Sequence, residues 1–158
     1  MNIFTCIASW FANAPTPAID KLSGKHYVWH TVTASSFADA ADRSKYDACI
    51  LSGKSPAQCR RVGDPGIGWL DNILYKDDMN VCALPPEIWI SKWGTKKNAH
   101  GRPVMVRING VVVAGRLGDT MPHLANIQNG AGIDLNPGFA KAFGLHPPFM
   151  VRAEWAWA

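Results

Sequence analysis

The sequence predicts a single, mainly β domain with a small helical insertion, and three observations carry that reading. Its 158 residues suit one core and fall short of two of ordinary size. Apolar residues make up 47% and charged residues 18%, with seven Trp, a composition that excludes an intrinsically disordered chain. Short alternating or β-branched apolar runs recur from residue 26 onward, most clearly on either side of Asn109-Gly110.

Residues 1–24 read as an N-terminal appendage with a proline spacer, and 25–158 as the domain. The opening MNIFTCIASWFANA is apolar, but it has no Lys or Arg before the apolar run and a bulky Trp10-Phe11 within it, so it is not read as a signal peptide. Pro15-Thr16-Pro17 is an extended spacer, because each proline fixes φ and biases its predecessor away from helix. His26–Ser35 is aromatic and β-branched, as a first strand should be. An insertion at about 36–62 follows: Ser35 or Ser36 caps a helix with Phe37, Ala40, Ala41, Ala48 and Leu51 on one stripe, ending at Gly53. Ser55-Pro56-Ala57-Gln58 then starts a second short helix with a capping Ser, Pro at the first helical position and a reciprocal Gln.

Gly63–Gly68, GDPGIG, is a loop; it lacks the Lys-Ser/Thr and the strand-helix frame of a phosphate cradle, so no cofactor is expected. Cys82–Pro86 reads as a short strand and Trp89–Trp93 as an aromatic turn. Pro103–Asn109 alternates Val104, Val106 and Ile108 with polar or flexible residues, Asn109-Gly110 is a two-residue hairpin turn, and Val111–Leu117 returns. After a long polar loop at 118–132 come a very short strand, Ile133–Leu135, a helix from Asn136-Pro137 to Gly144, and a terminal strand Phe149–Trp157. No internal repeat is visible.

Charge and cysteines narrow the function classes. Residues 1–95 hold nine basic and nine acidic residues, whereas 96–158 hold seven basic and three acidic, so the whole excess of +4 lies in the last part. Such an excess suits an anionic polymer, yet without an Arg run, zinc-finger spacing or basic helix it does not point to nucleic acid. No apolar stretch approaches the ~20 residues of a membrane span. Cys6, Cys49, Cys59 and Cys82 form no CxxC pair and no Cys/His cluster, so no metal site is expected. Cys49 and Cys59, ten apart across two helices, are either bridged or two buried thiols.

Two carboxylates stand out. Asp39, Asp42 and Asp47 fall on the polar side of the first helix and Asp77-Asp78 in a polar turn, and all read as solvated. Asp119, after VVVAGRLG, and Asp134, inside GIDLNPG, sit among apolar and glycine residues at the ends of β-elements, where a charge is held for a use. Arg107, Arg116 or Arg152 would offset their repulsion. The bland alternatives are a turn cap for Asp134 and a loop anchor for Asp119.

Asp119-Thr120-Met121-Pro122, then Ile133-Asp134-Leu135-Asn136 through Ala140 and Phe143-Gly144, resembles the Asp-x-x-Pro and Ile-Asp-Leu-Ser segments of the double-psi β-barrels of the rare-lipoprotein-A, expansin and barwin type. Thr33–Phe37, Val81–Pro85 and Trp93-Gly94-Thr95 resemble other segments of that family more loosely. The resemblance implies a six-stranded double-psi β-barrel spanning about 30–157, and glycan chemistry at the cell wall or outside the cell. It implies Asp134 and Asp119 as acid/base groups: one Asp serves as acid and then base in lytic transglycosylases, two in endoglucanases. Thr120 stands where the family has Arg, and Cys82 near where it has His; His123 could stand in from the loop. Trp69, Trp89 and Trp93 offer faces for sugar stacking, with Arg116 and Asn136 as further substrate contacts. The expected partner is a polysaccharide, peptidoglycan first because the basic part suits an anionic wall. A non-catalytic expansin-like binder, or a structural part of a larger secreted or viral assembly, are the competing readings.

Overall fold

The structure is a computed structural model that describes residues 16–19 and 26–158. It is mainly β. Strands β1 (Thr16–Ile19), β2 (His26–Ser36), β3 (Val81–Leu84), β4 (Pro103–Ile108), β5 (Val111–Thr120), β6 (Ala131–Leu135) and β7 (Met150–Trp157) are joined by short helices: α1 (Ala40–Leu51), α2 (Pro56–Cys59), α3 (Pro86–Trp93), α4 (Lys96–Ala99) and α5 (Pro137–Phe143). Six strands form a mixed sheet closed into a ring, in the order β2-β6-β3-β5-β4-β7 and back to β2. The β2–β6 and β3–β5 pairings are parallel and the other four antiparallel. β1 adds to the first residues of β2, antiparallel, with Thr16 opposite Trp29.

The pairing pattern repeats with a shift of three strands. Exchanging β2, β3 and β4 with β5, β6 and β7 reproduces every pairing of the ring with its sense, and each parallel pairing carries one register break, at Thr33/Ala34 and at Cys82/Ala83. In both halves the middle strand ends on Leu-x-Pro, with Pro86 and Pro137 at the first turn of α3 and α5. The repeat is written in backbone pairing, and apart from those prolines little of it reaches the side chains, which is why it escapes a reading of the sequence.

The ring interior is filled by alternate residues of each strand, among them Leu84, Val104, Val106, Leu117, Ile133, Leu135 and Trp155, with Phe139 of α5 packed against them. Each such side chain contributes about 1.5–3 kcal/mol on burial. A second cluster, Phe37, Leu74, Val81, Ala83, Met121 and Ala131, covers the other face of β3. Gly115 admits Phe139 to the sheet, since a Cβ there would fall within 2.3 Å of Phe139 Cζ. Asn136 stitches the two parts. Its Oδ1 accepts from Val81 N (2.9 Å) and Phe139 N (3.2 Å), while its Nδ2 donates to the carbonyls of Leu74 (2.9 Å) and Met79 (2.9 Å).

Several local expectations are corrected. The cap of α1 is Asp39, not Ser35 or Ser36: its carboxylate accepts from Ala41 N and Asp42 N, so it is buried at a helix start rather than solvated. Of the expected apolar stripe only Phe37, which precedes α1, is buried; α1 itself buries nothing and Leu51 is 87% exposed, because the helix lies on the surface, held by its ends and by a Cys49–Cys59 disulfide. Trp89–Trp93 is the body of α3, not a turn, since Pro86 initiates a helix and Gly94 closes it at φ 76°. Thr16 and Pro17 belong to a strand rather than a free spacer. The hairpin turn at Asn109 (φ 50°) and Gly110 (φ 81°) forms as expected, with β5 three residues longer. The helix at Pro137 is capped by Asn136 and ends at Gly144 in the left-handed region. The reading of residues 1–14 lies outside the described residues, and among those described no helix is long and apolar enough to cross a membrane.

We predict that Asn136→Ala lowers the unfolding free energy by roughly 2–4 kcal/mol, because four buried backbone groups lose their partner at once. Urea unfolding should show the midpoint falling with the slope unchanged; a loss below about 0.5 kcal/mol would refute the stitch.

Candidate active site

Strand register assembles the site. Ser35 of β2 lies opposite Asp134 of β6, Asp134 opposite Ala83 of β3, and Ala83 opposite Asp119 of β5. Directly opposed residues project to the same face, so all four share one row across four strands. The neighbours of Ala83 and Asp134, namely Cys82, Leu84, Ile133 and Leu135, fill the ring interior, and the row therefore faces outward, beside the second cluster. Two strand spacings separate the Cα atoms of Asp119 and Asp134, about 10 Å. Only the methyl of Ala83, itself buried, stands between them in the row.

Both carboxyls are half-buried and both titrate high. Burial pushes Asp134 up to about 7; the Ser35 hydroxyl, which donates to its Oδ1, pulls down, and the charges of Asp42, Asp64 and Asp119 push up. Burial likewise pushes Asp119 up to about 6, against a hydrogen bond from Thr120 N to its Oδ1 (2.8 Å); Asp64 adds to the rise, and Arg60 and Lys96 oppose it. The basic residues that the sequence offers to offset the repulsion of the aspartates do not do so: Arg107 pairs with Glu154 at 2.7 Å and Arg116 donates to Asn72 Oδ1 at 2.9 Å, while Arg152 is not among the charges acting on either aspartate.

The helical insertion returns across the site. Asp64 N donates to Asp42 O (3.2 Å), and Asp64 Oδ1 accepts from Gly66 N (2.6 Å). Gly68 packs so tightly that a Cβ there would lie 2.8 Å from Gly118 O and 3.2 Å from Asp119 Cβ. Asp64 and Asp42 are themselves raised, chiefly by burial. Sequence reading missed Ser35, Asp64, Arg60 and Lys96 as parts of this site. The crowded glycines of 63–68 were the one signal, since such a stretch marks close backbone approach.

The other candidate residues lie apart from the row. His123 is exposed, and its Nδ1 is 3.0 Å from Glu87 Oε1; its partner is α3 rather than either aspartate. Trp69 and Trp89 are 7% and 5% exposed and pack edge-to-face on each other at 4.8 Å, so their faces are closed to a sugar ring. Trp89 Nε1 donates to Thr120 Oγ1 (3.2 Å), next to Asp119. Trp93 is half-buried against Trp157, with the Arg102 guanidinium 4.1 Å from its ring centre. Asn136 has its amide fully engaged within the fold. A shallow cleft of about 840 Å³ opens elsewhere, lined by Asp39, Arg43, Tyr75 and Pro137, and holds neither aspartate of the row. Among the described residues no group of three His, Cys, Asp or Glu side chains could hold a metal ion.

No model of a known protein family matches the chain, and no curated protein matches it. Among solved structures it is similar to the Streptomyces papain inhibitor, with 18% identity over 82% of this chain and 94% of that one, at a TM-score of 0.47.

The raised carboxyls carry a stability signature. Asp134 ordinarily titrates near 3.8 and here near 7, so folding binds its proton more tightly, and the stability it contributes is present below pH 3.8 and lost as pH rises through about 7. Asp134→Asn, which never charges, should therefore gain on the wild type from pH 4 to pH 8, by on the order of 1–2 kcal/mol at this half-buried position. Thermal unfolding across that range tests this; parallel curves for the two proteins would contradict it.

Proposed function

We propose that the chain is a glycan-cleaving enzyme built on a double-psi β-barrel, acting on a wall polysaccharide, with peptidoglycan the favoured substrate. The closed ring with two parallel pairings and a three-strand repeat supports the fold reading. The observation that carries the function is the pair of high-titrating carboxyls on one row with only Ala83 between them.

Near neutral pH Asp134 is partly protonated and Asp119 mostly ionised. Asp134 gives its proton to the glycosidic oxygen as that bond breaks. In transglycosylation the resulting Asp134 carboxylate then takes the proton of the sugar's own hydroxyl, whose oxygen closes the anhydro ring at the anomeric carbon. In hydrolysis Asp119 instead takes a proton from a water that attacks the same carbon. The intervening strand favours these two routes over a covalent intermediate, which needs carboxyls about 5–5.5 Å apart. Once ionised, Asp119 adds to the rise of Asp134.

Incubating the protein with peptidoglycan and analysing soluble products by mass tests the proposal. The wild type should release fragments with an optimum between about pH 6 and 7, falling on the acid side as Asp119 protonates and on the alkaline side as Asp134 ionises. Asp134→Asn should lose at least about 10²-fold. Asp119→Asn should lose less if the products carry anhydro ends, and as much if they carry reducing ends. Retention on the glycan with no release would overturn the enzyme reading in favour of a binding module.

A further inference from the structure

Residues 66–74 form a small hairpin laid on β5. Leu74 N donates to Gly66 O (2.8 Å), Ile67 pairs with Ile73, and Gly68 N donates to Asn72 O (2.9 Å). Both arms are clamped to the strand that carries Asp119. On one arm, a Cβ at Gly68 would fall 2.8 Å from Gly118 O and 3.2 Å from Asp119 Cβ. On the other, Asn72 accepts from Arg116 at 2.9 Å, and a Cβ at Gly118 would come within 2.4 Å of its Nδ2. The tip between them is Leu70. Two steps of 3.8 Å hold its Cα within about 7.6 Å of that of Gly68, and so beside the Asp119 end of the carboxyl row.

Leu70 is at odds with its place. Its φ of 52° and ψ of 41° lie in the left-handed region, where a Cβ crowds the following carbonyl and which Gly, Asn or Asp enter at less cost. Among the described residues the other non-glycine positions there are Asn109, which suits the region, and Ala38, which is buried. Leu70 instead is 68% exposed, while Trp69 before it and Leu74 after it are buried in the two clusters. An exposed leucine alone is ordinary. A bulky apolar side chain fixed in an unfavourable conformation by clamped arms, yet burying little within the fold, is not, because neither the backbone nor the packing of this turn calls for leucine.

We infer that Leu70 is a substrate contact at the edge of the site, an apolar platform against which the C–H face of a sugar ring of the bound glycan packs. This rests on the glycan-cleaving reading and deepens it. Leu70 then loses to the glycan the water-exposed surface that the fold leaves uncovered, and that burial favours binding. The clamps on Gly68 and Asn72 fix where the platform stands relative to Asp119, so a ring resting on it is held in register with the carboxyl row. The contact is apolar and therefore insensitive to added salt.

Retention on insoluble peptidoglycan, release of fragments and thermal unfolding together test it. Leu70→Asn places a residue suited to the left-handed turn and removes the apolar contact. Its Tm should hold or rise by up to about 4 °C, while retention weakens and the apparent KM for release rises about tenfold, with kcat and the pH profile unchanged. Leu70→Met, close to it in volume, should stay within about twofold of the wild type. The same rise in KM is expected on glycan strands freed of their peptides; a rise confined to the peptide-bearing form would overturn the ring-face contact. Wild-type retention and KM in Leu70→Asn would overturn it while leaving cleavage intact. A Tm lowered by more than about 4 °C would also overturn it, since the side chain would then serve the fold. So would a loss in kcat with a shifted pH profile, since Leu70 would then act through Asp119. If the wild type is retained without release, weaker retention of Leu70→Asn keeps the contact and removes the enzyme reading.

Discussion

Strand β3 has four residues, all buried, and it hydrogen-bonds to two neighbours running in opposite senses: antiparallel to β6 and parallel to β5. A strand so placed cannot slip, because a one-residue shift would turn Cys82 and Leu84 out of the ring interior and Ala83 into it. Its position sets that of Asp134 on one side and Asp119 on the other, each opposite Ala83. It also sets the stitching amide of Asn136, which grips Val81 at the start of the strand. The fold and the candidate chemistry thus depend on the same short pairing.

Carboxyls in such a place oppose folding once they ionise. The burial that raises them comes from the cluster around Phe37, Leu74 and Met121 and from the return of the insertion over Gly68. A charge there is tolerated because hydrogen bonds from Ser35 and from Thr120 N remain. Asp64 and Asp42 add repulsion rather than relief. Such an arrangement lowers stability near and above neutral pH, the relation expected between a scaffold and the proposed acid/base role.

Much of this was legible locally. The Asn109-Gly110 hairpin, the Ser55–Gln58 capping box, the Asn136-Pro137 helix start and the alternation of the last strand are each specified within a few residues, so neighbours in sequence suffice to read them. Asp119 and Asp134 stood out for the same reason, as charges in apolar surroundings. What local reading missed depends on distant partners. Ser35 meets Asp134 across 99 residues, and Arg60 and Asp64 reach Asp119 only because the insertion folds back. The burial of Trp69 and Trp89 likewise follows from packing, which composition does not encode. The buried cap Asp39 is hidden in the sequence because Ser35 and Ser36 offer an equally good local signal three and four residues earlier.

The central claim is that two carboxyls on one row hold protons near neutrality, with the charge of Asp119 adding to the rise of Asp134. Carboxyl-carbon chemical shifts of Asp, followed by NMR from pH 3 to pH 9 in the wild type and in each Asn variant, test it directly. The account predicts two transitions near pH 6 and pH 7, with removal of Asp119 lowering that of Asp134. Both aspartates titrating near the ordinary 3.8, or titrating independently of each other, would contradict it.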